Sequence, residues 1–315
     1  MKGLVRTVLG DLPAADLGRV DYHEHLFQRS RLLPGDDLDD EMRSGREAAR
    51  LFAAGLSAMI EATPIGLGRN PHVVARISAS TGLSVVATTG AHRQEHYPPE
   101  HWLLDCSPAE LVHRFTDDIA VGTPVIDDDP NSARQADGTV RAGVVKAGIG
   151  YWSITKFERR VLDAVAETHA RTGAPVMVHL EHGSAAHEVL DILCAAGVDE
   201  SAVVLAHIDR NPDHGLHAEL ADRGAYLGYD GAARHRSWPD STVLDCLVRA
   251  AAGGAAERIL LGGDVARSSR YIEYGGMPGL AYLPERFVPR LAAHGGSELV
   301  DAVLQANPQR YLGRF

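Results

Sequence analysis

From residue 142 onward, short apolar runs rich in Val and Ile alternate with stretches whose apolar positions recur every three or four residues. Strand-like and helix-like periods take turns with little interruption, which predicts strands and helices in regular alternation. The clearest unit reads AGVVKAGIG (142–150), TKFERRVLDAVAETHARTG (155–173) and APVMVHLEHG (174–183). In its middle segment Phe157, Val161, Leu162, Val165 and Ala166 form one apolar stripe, Thr155 and Glu158 form a capping box, and Gly173 provides the stop. This is a βαβ unit.

The rhythm continues with a helix around 185–196 and the strand AVVLAHID (202–209). A helix over about 213–223 precedes AYLGYDG (225–231), and one over about 241–252 leads into RILLGGD (258–264). Upstream, LSAMIEATPIG (56–66) and LSVVATTGAH (83–92) read as strands on either side of a helical segment near 71–80. With VDYHEHLF (20–27) the strands number eight. Eight strands alternating with helices in a chain of 315 residues predict an α/β fold, a (β/α)8 TIM barrel forming one domain over 1–315. An open doubly wound sheet ranks second, because no Gly-rich phosphate fingerprint follows the first strand. LPGDDLDDEMRSGRE (33–47) and IDDDPNSARQADGTVR (126–141) read as charged, turn-rich insertions too short to be domains.

Composition narrows the function classes. Hydrophobic residues make up 45% of the chain, enough for a substantial core. Lys and Arg number 31 against 42 Asp and Glu, for a net charge of -11, and the basic residues are scattered, which argues against a nucleic-acid partner. Apolar runs fall short of the ~20 residues of a membrane span. MKGLVRTVLGDLPAADLG lacks the features of a secretory signal, so a cytoplasmic location without a membrane partner is expected. Cys106, Cys194 and Cys246 are odd in number and far apart, which fits neither a disulfide framework nor a cysteine zinc site.

The chemistry lies at the strand ends, where a barrel enzyme builds its active site. The first strand ends with His23 and His25, whose spacing of two sends both imidazoles to one side. The fourth carries Lys146, the fifth ends at His179, the sixth at His207 and the eighth at Asp264. Each histidine alone reads more readily as a hydrogen-bonded structural residue than as a ligand. Their joint placement reads as a metal site. An ammonium buried in AGVVKAG is costly unless it is paired or chemically altered, and reaction of Lys146 with carbon dioxide would make it an anionic carbamate.

This ordered set, HxH, lysine, histidine, histidine and aspartate, resembles the phosphotriesterase-like branch of the amidohydrolase superfamily, over nearly the whole chain from HEHL to ANPQRYLG. The resemblance implies a binuclear metal-dependent hydrolase. One divalent cation, zinc by default, is implied at His23, His25 and Asp264, a second at His179 and His207, with carbamylated Lys146 and a hydroxide bridging them. Asp264 is then also the catalytic proton shuttle. His179 is preferred over His182 because it directly ends the run VMVH, and Asp209 is expected to support the ligands from behind, with helix capping as its structural alternative.

The segments HIDRNPD, YDGAARHRSW and DVARSSRYIEYGGMPG are similar to a subgroup that opens phosphorylated sugar lactones. Arg234, Arg267 and Arg270 then hold the phosphate, with Arg270 standing where a tyrosine is expected; Arg236 lies in the same loops. Arg69 and His92, in GLGRNP and TTGAHRQEHYPPEHW, are further candidates for substrate contact. The expected partner is thus a small molecule, a phosphorylated lactone, and the resemblance implies a homodimer as the common assembly. The runner-up is a lactonase on unphosphorylated or acylated lactones with promiscuous phosphotriesterase activity. A non-catalytic metal-binding barrel comes last, since all six metal positions are present.

Overall fold

In the computed structural model, which describes residues 3–134 and 139–315, the chain begins with a hairpin, β1 (Leu4–Thr7) and β2 (Gly10–Pro13), absent from the sequence reading. The eight expected strands follow: β3 (Val20–Glu24), β4 (Ala58–Glu61), β5 (Ser84–Gly90), β6 (Ala142–Ile149), β7 (Val176–Leu180), β8 (Val203–Ala206), β9 (Tyr226–Tyr229) and β10 (Ile259–Leu261). Each pairs in parallel with the next. The chain after β10 returns to β3: the Asp264 N–H donates to the His23 carbonyl at 2.8 Å, and the Gly263 N–H to Asp21 Oδ1 at 3.2 Å. The result is a (β/α)8 barrel.

The outer layer comprises α1 (Glu41–Ala53), α2 (Pro71–Thr81), α3 (Trp102–Asp105), α4 (Pro108–Ala120), α5 (Lys156–Thr172), α6 (Ala186–Ala195), α7 (His214–Asp222), α8 (Asp240–Ala250), α9 (Val288–Asp301) and α10 (Asn307–Leu312). The start and stop of α5 are those written in its sequence: Thr155 and Glu158 close a full capping box, and Gly173 ends the helix in the left-handed region at φ 76°. No helix among the described residues is long and apolar enough to cross a membrane.

Side chains alternate between two apolar clusters, as the two-residue period of a strand requires. Val144, Met177, Val204 and Leu260 pack with Tyr22, Ile60 and Tyr226 inside the barrel. Val145, Val178, Leu205 and Leu261 pack outward against helix residues such as Val161, Leu190 and Leu247. Two residues beyond Val144 and Met177, the same alternation turns Lys146 and His179 inward at the C-terminal mouth.

The 33–47 segment departs from the expectation of an insertion, because residues from Glu41 onward form α1. Its buried face consists of Ser44, Glu47, Ala48 and Leu51, so half of the inward positions are polar and the apolar period is broken. In the 126–141 segment, Asp127 accepts from Arg69 Nε at 3.0 Å and from Arg114 at 2.8 Å, which ties the loop to the barrel. Residues 135–138 of that segment, like residues 1–2, lie outside the described residues.

Candidate active site

At the C-terminal mouth a cavity of about 180 Å³ is lined by His23, His25, Lys146, His179, His207 and Asp264, so the six residues singled out at the strand ends meet in one place. The rings of His23 and His25 lie 5.4 Å apart, those of His23 and His207 4.9 Å, and those of His207 and His179 4.4 Å. Asp264 Oδ1 stands 3.4 Å from His25 Nε2 and 3.9 Å from His23 Nε2. His207 and Asp264 sit in left-handed backbone, at φ 65° and 42°, a conformation unfavourable for residues with a Cβ and concentrated at functional sites.

Burial sets the protonation states. It holds His23, His25 and His179 below the usual imidazole range and His207 down at about 3, leaving neutral rings with free lone pairs. Burial also raises the Asp264 carboxyl, but Arg234 and the adjoining imidazoles outweigh it and keep the group ionised. Lys146 is pushed down to about 8 by burial, against the pull of Asp264 and Glu61, and its Nζ donates to the Ala62 carbonyl at 2.8 Å.

This donor set fits divalent cations. Neutral imidazoles and an ionised carboxylate are the ligand types zinc and its neighbours take. Ligand atoms of His23, His25 and Asp264 lie within 4.8 Å of one another, as do those of His23, His207 and Asp230. His23 Nδ1 is buried, 3.2 Å from Asp230 Oδ2. His179 Nε2 meets Glu181 at 2.8 Å, a contact that a bound cation would have to replace.

Asp230 is a residue the sequence reading missed, although it follows β9 in the same position that marked the others. It accepts from His207 Nδ1 at 2.7 Å, from the His207 N–H at 3.2 Å and from the Tyr22 hydroxyl, so it fixes that imidazole. Asp209 acts one step farther back than expected. Its Oδ2 accepts from the N–H groups of Asp230 and Gly231 at 3.0 and 2.7 Å, which positions Asp230 rather than a ligand ring. The helix-cap alternative for Asp209 falls to Asp213, the N-cap of α7.

A second cavity of about 470 Å³ adjoins the first and is lined by Arg210, Arg234, Arg236, Arg267 and Arg270, with Ser237 and Ser269. Arg234 donates to Asp264, and Arg210, also missed from sequence, does so at 3.0 Å. Arg267 approaches Asp36 at 3.5 Å, whereas Arg270 donates to the carbonyls of Val265 and Ala233, each at 3.3 Å. His182 is exposed at the rim of this second cavity, while His179 is buried in the first. His92 lines the first cavity. Arg69 does not: its guanidinium is buried against Asp118 at 2.7 Å and the Thr88 carbonyl, a structural role that corrects the expectation of substrate contact.

Comparison with known proteins agrees with this geometry. The profile of the phosphotriesterase family matches residues 3–312. The chain is 29% identical over 322 aligned residues to a phospho-furanose lactonase of Mycoplasmopsis synoviae (strain 53), covering 98% of this chain and 91% of the relative. It superposes on the crystal structure of an amidohydrolase from Mycoplasma synoviae with a TM-score of 0.93 at 28% identity, covering 99% of this chain and 92% of the other. The Escherichia coli phosphotriesterase homology protein, solved with phosphate in its active site, superposes with a TM-score of 0.84 at 29% identity, over 94% and 99% of the two chains.

Proposed function

Because this chain belongs to the phosphotriesterase family, we propose that it is a metal-dependent hydrolase that opens a phosphorylated sugar lactone. The observation that carries the reading is the junction of the two cavities, with six metal-site residues in one and five arginines in the other. His23, His25 and Asp264 would hold one divalent cation, and His179 and His207 a second, with Lys146 between them as a carbamate; zinc is the default ion for such donors. Bound cations would lower the pKa of a water and polarise the ester carbonyl.

The chain supplies the proton handling and the orientation. Asp264 accepts a proton from the attacking water as its oxygen bonds to the carbonyl carbon, then gives a proton to the ring oxygen when that C–O bond breaks. Arg210 and Arg234 hold its carboxylate in place for this exchange. Arg234, Arg267 and Arg270 bind the phosphate, because guanidinium forks match its oxygens; Arg234 and Arg267 share their donors between the phosphate and the carboxylates of Asp264 and Asp36. A relative that opens phospho-furanose lactones, and another holding phosphate in its active site, support the same substrate class.

The test compares one sugar lactone with and without its phosphate. The phosphorylated form should show the higher kcat/KM, and Arg267→Ala should raise KM chiefly for that form, by about tenfold or more. Equal kcat/KM for the two forms would move the assignment to unphosphorylated or acylated lactones.

A further inference from the structure

The first cavity is also lined by polar side chains, Gln28, His92 and His96, that neither the metal site nor the phosphate clamp uses. Gln28 follows β3 and lines the cavity at 7% exposure. Its backbone is pinned by hydrogen bonds to Leu38 in both directions, at 2.9 and 2.8 Å, yet its Oε1 is buried without a partner. A side-chain amide oxygen withdrawn from water and left unpaired is unfavourable unless a ligand supplies the missing donor.

His92 and His96, which follow β5, line the same cavity. His92 Nδ1 accepts the Arg93 N–H at 2.8 Å, so the proton of the neutral ring resides on Nε2 as a donor. Its ring is clamped between His96 at 3.9 Å and His179 at 4.4 Å, and His96 Nδ1 is engaged by Ser30 Oγ at 2.9 Å. The His92 donor is thus held beside the proposed ligand His179. An alkyl lactone offers these groups nothing to bind.

We propose that Gln28, His92 and His96 form the subsite that reads the ring hydroxyls of the sugar lactone and selects it over a deoxy ring. The inference rests on the sugar-lactone reading for the substrate and assigns the residues that recognise its hydroxyls. Ring hydroxyls that donate to Gln28 Oε1 and accept from His92 Nε2 satisfy these groups, whereas a deoxy ring leaves Oε1 buried and unpaired.

The experiment uses a 1,4-anhydropentitol, which has the hydroxylated five-membered ring but no carbonyl and cannot be turned over. Calorimetric titration of the metal-loaded protein should show it binding about tenfold tighter than tetrahydrofurfuryl alcohol. Gln28→Met should erase that preference while melting no lower than wild type, since it removes an unpaired polar atom at nearly constant volume. In parallel, the ratio of kcat/KM for a pentonolactone over its 2,3-dideoxy counterpart should fall about tenfold in Gln28→Met. Equal binding of the two probes by wild type, or a preference that survives in both Gln28→Met and His92→Gln, overturns the subsite. Lactone turnover without a polyol preference defeats the subsite and spares the lactonase reading; a polyol preference without lactone turnover does the reverse.

Discussion

Lys146 is the residue whose state most depends on its surroundings. Unfolded, it titrates near its ordinary value of 10.5; burial brings the folded group to about 8. Between those values the unfolded chain binds more protons than the folded one, so stability should rise with pH from about 8 to 10.5. Below 8 the folded state bears the full cost of a buried ammonium, and metal-free, carbon-dioxide-free protein should gain about 3 kcal/mol at pH 7 from Lys146→Met. Urea unfolding at several pH values checks this, and a wild-type slope that persists in the variant above pH 8 would assign it to other groups. The same depressed value leaves some neutral amine near pH 7, the form that can react with carbon dioxide. Lys146 was legible in sequence because an ammonium among Gly, Val and Ala is chemically anomalous. Asp230 and Arg210 were not, because a carboxylate or guanidinium in a polar loop is ordinary until the contact to His207 or Asp264 is seen.

The elements divide along the same line. Strands such as AGVVKAGI announce themselves because both of their faces are buried, and α5 because its stripe, caps and stop agree. The helix α1 does not, because its inward positions serve tertiary hydrogen bonds. Glu47 accepts the N–H groups of Glu273 and Leu280 at 2.8 and 3.2 Å, and Ser44 donates to the Leu26 carbonyl at 2.7 Å. Through Glu47, α1 ties down the far end of the loop that begins with Arg267 and Arg270. Glu47→Ala leaves a buried N–H at Leu280 and a half-buried one at Glu273 without their acceptor and should cost about 1–3 kcal/mol. Hydrogen exchange at the amides of Glu273 and Leu280 should accelerate, with KM for the phosphorylated lactone rising in parallel. Unchanged exchange at both amides would show that α1 does not restrain the loop.

Over the whole molecule, a net charge of -11 opposes the approach of a phosphorylated substrate, whereas the mouth of the barrel concentrates five arginines. Which field the substrate meets depends on the distance over which charge is felt. At about 0.01 M salt the screening length is roughly 30 Å, so the repulsion of the whole surface and the attraction of the mouth both act; at about 0.15 M it is roughly 8 Å, and only nearby groups count. If the local arginines dominate, added salt should lower kcat/KM for the phosphorylated lactone and leave that of a neutral lactone flat. If the overall negative charge dominates, salt should raise it. Five arginines line the pocket proposed for the phosphate and, among the described residues, no carboxylate does, so the first outcome is expected. Arg267→Ala should flatten the dependence, and a series at constant pH from about 0.01 to 0.3 M salt decides the sign. A positive slope in wild type would mean that the arginines act on the bound substrate without drawing it in.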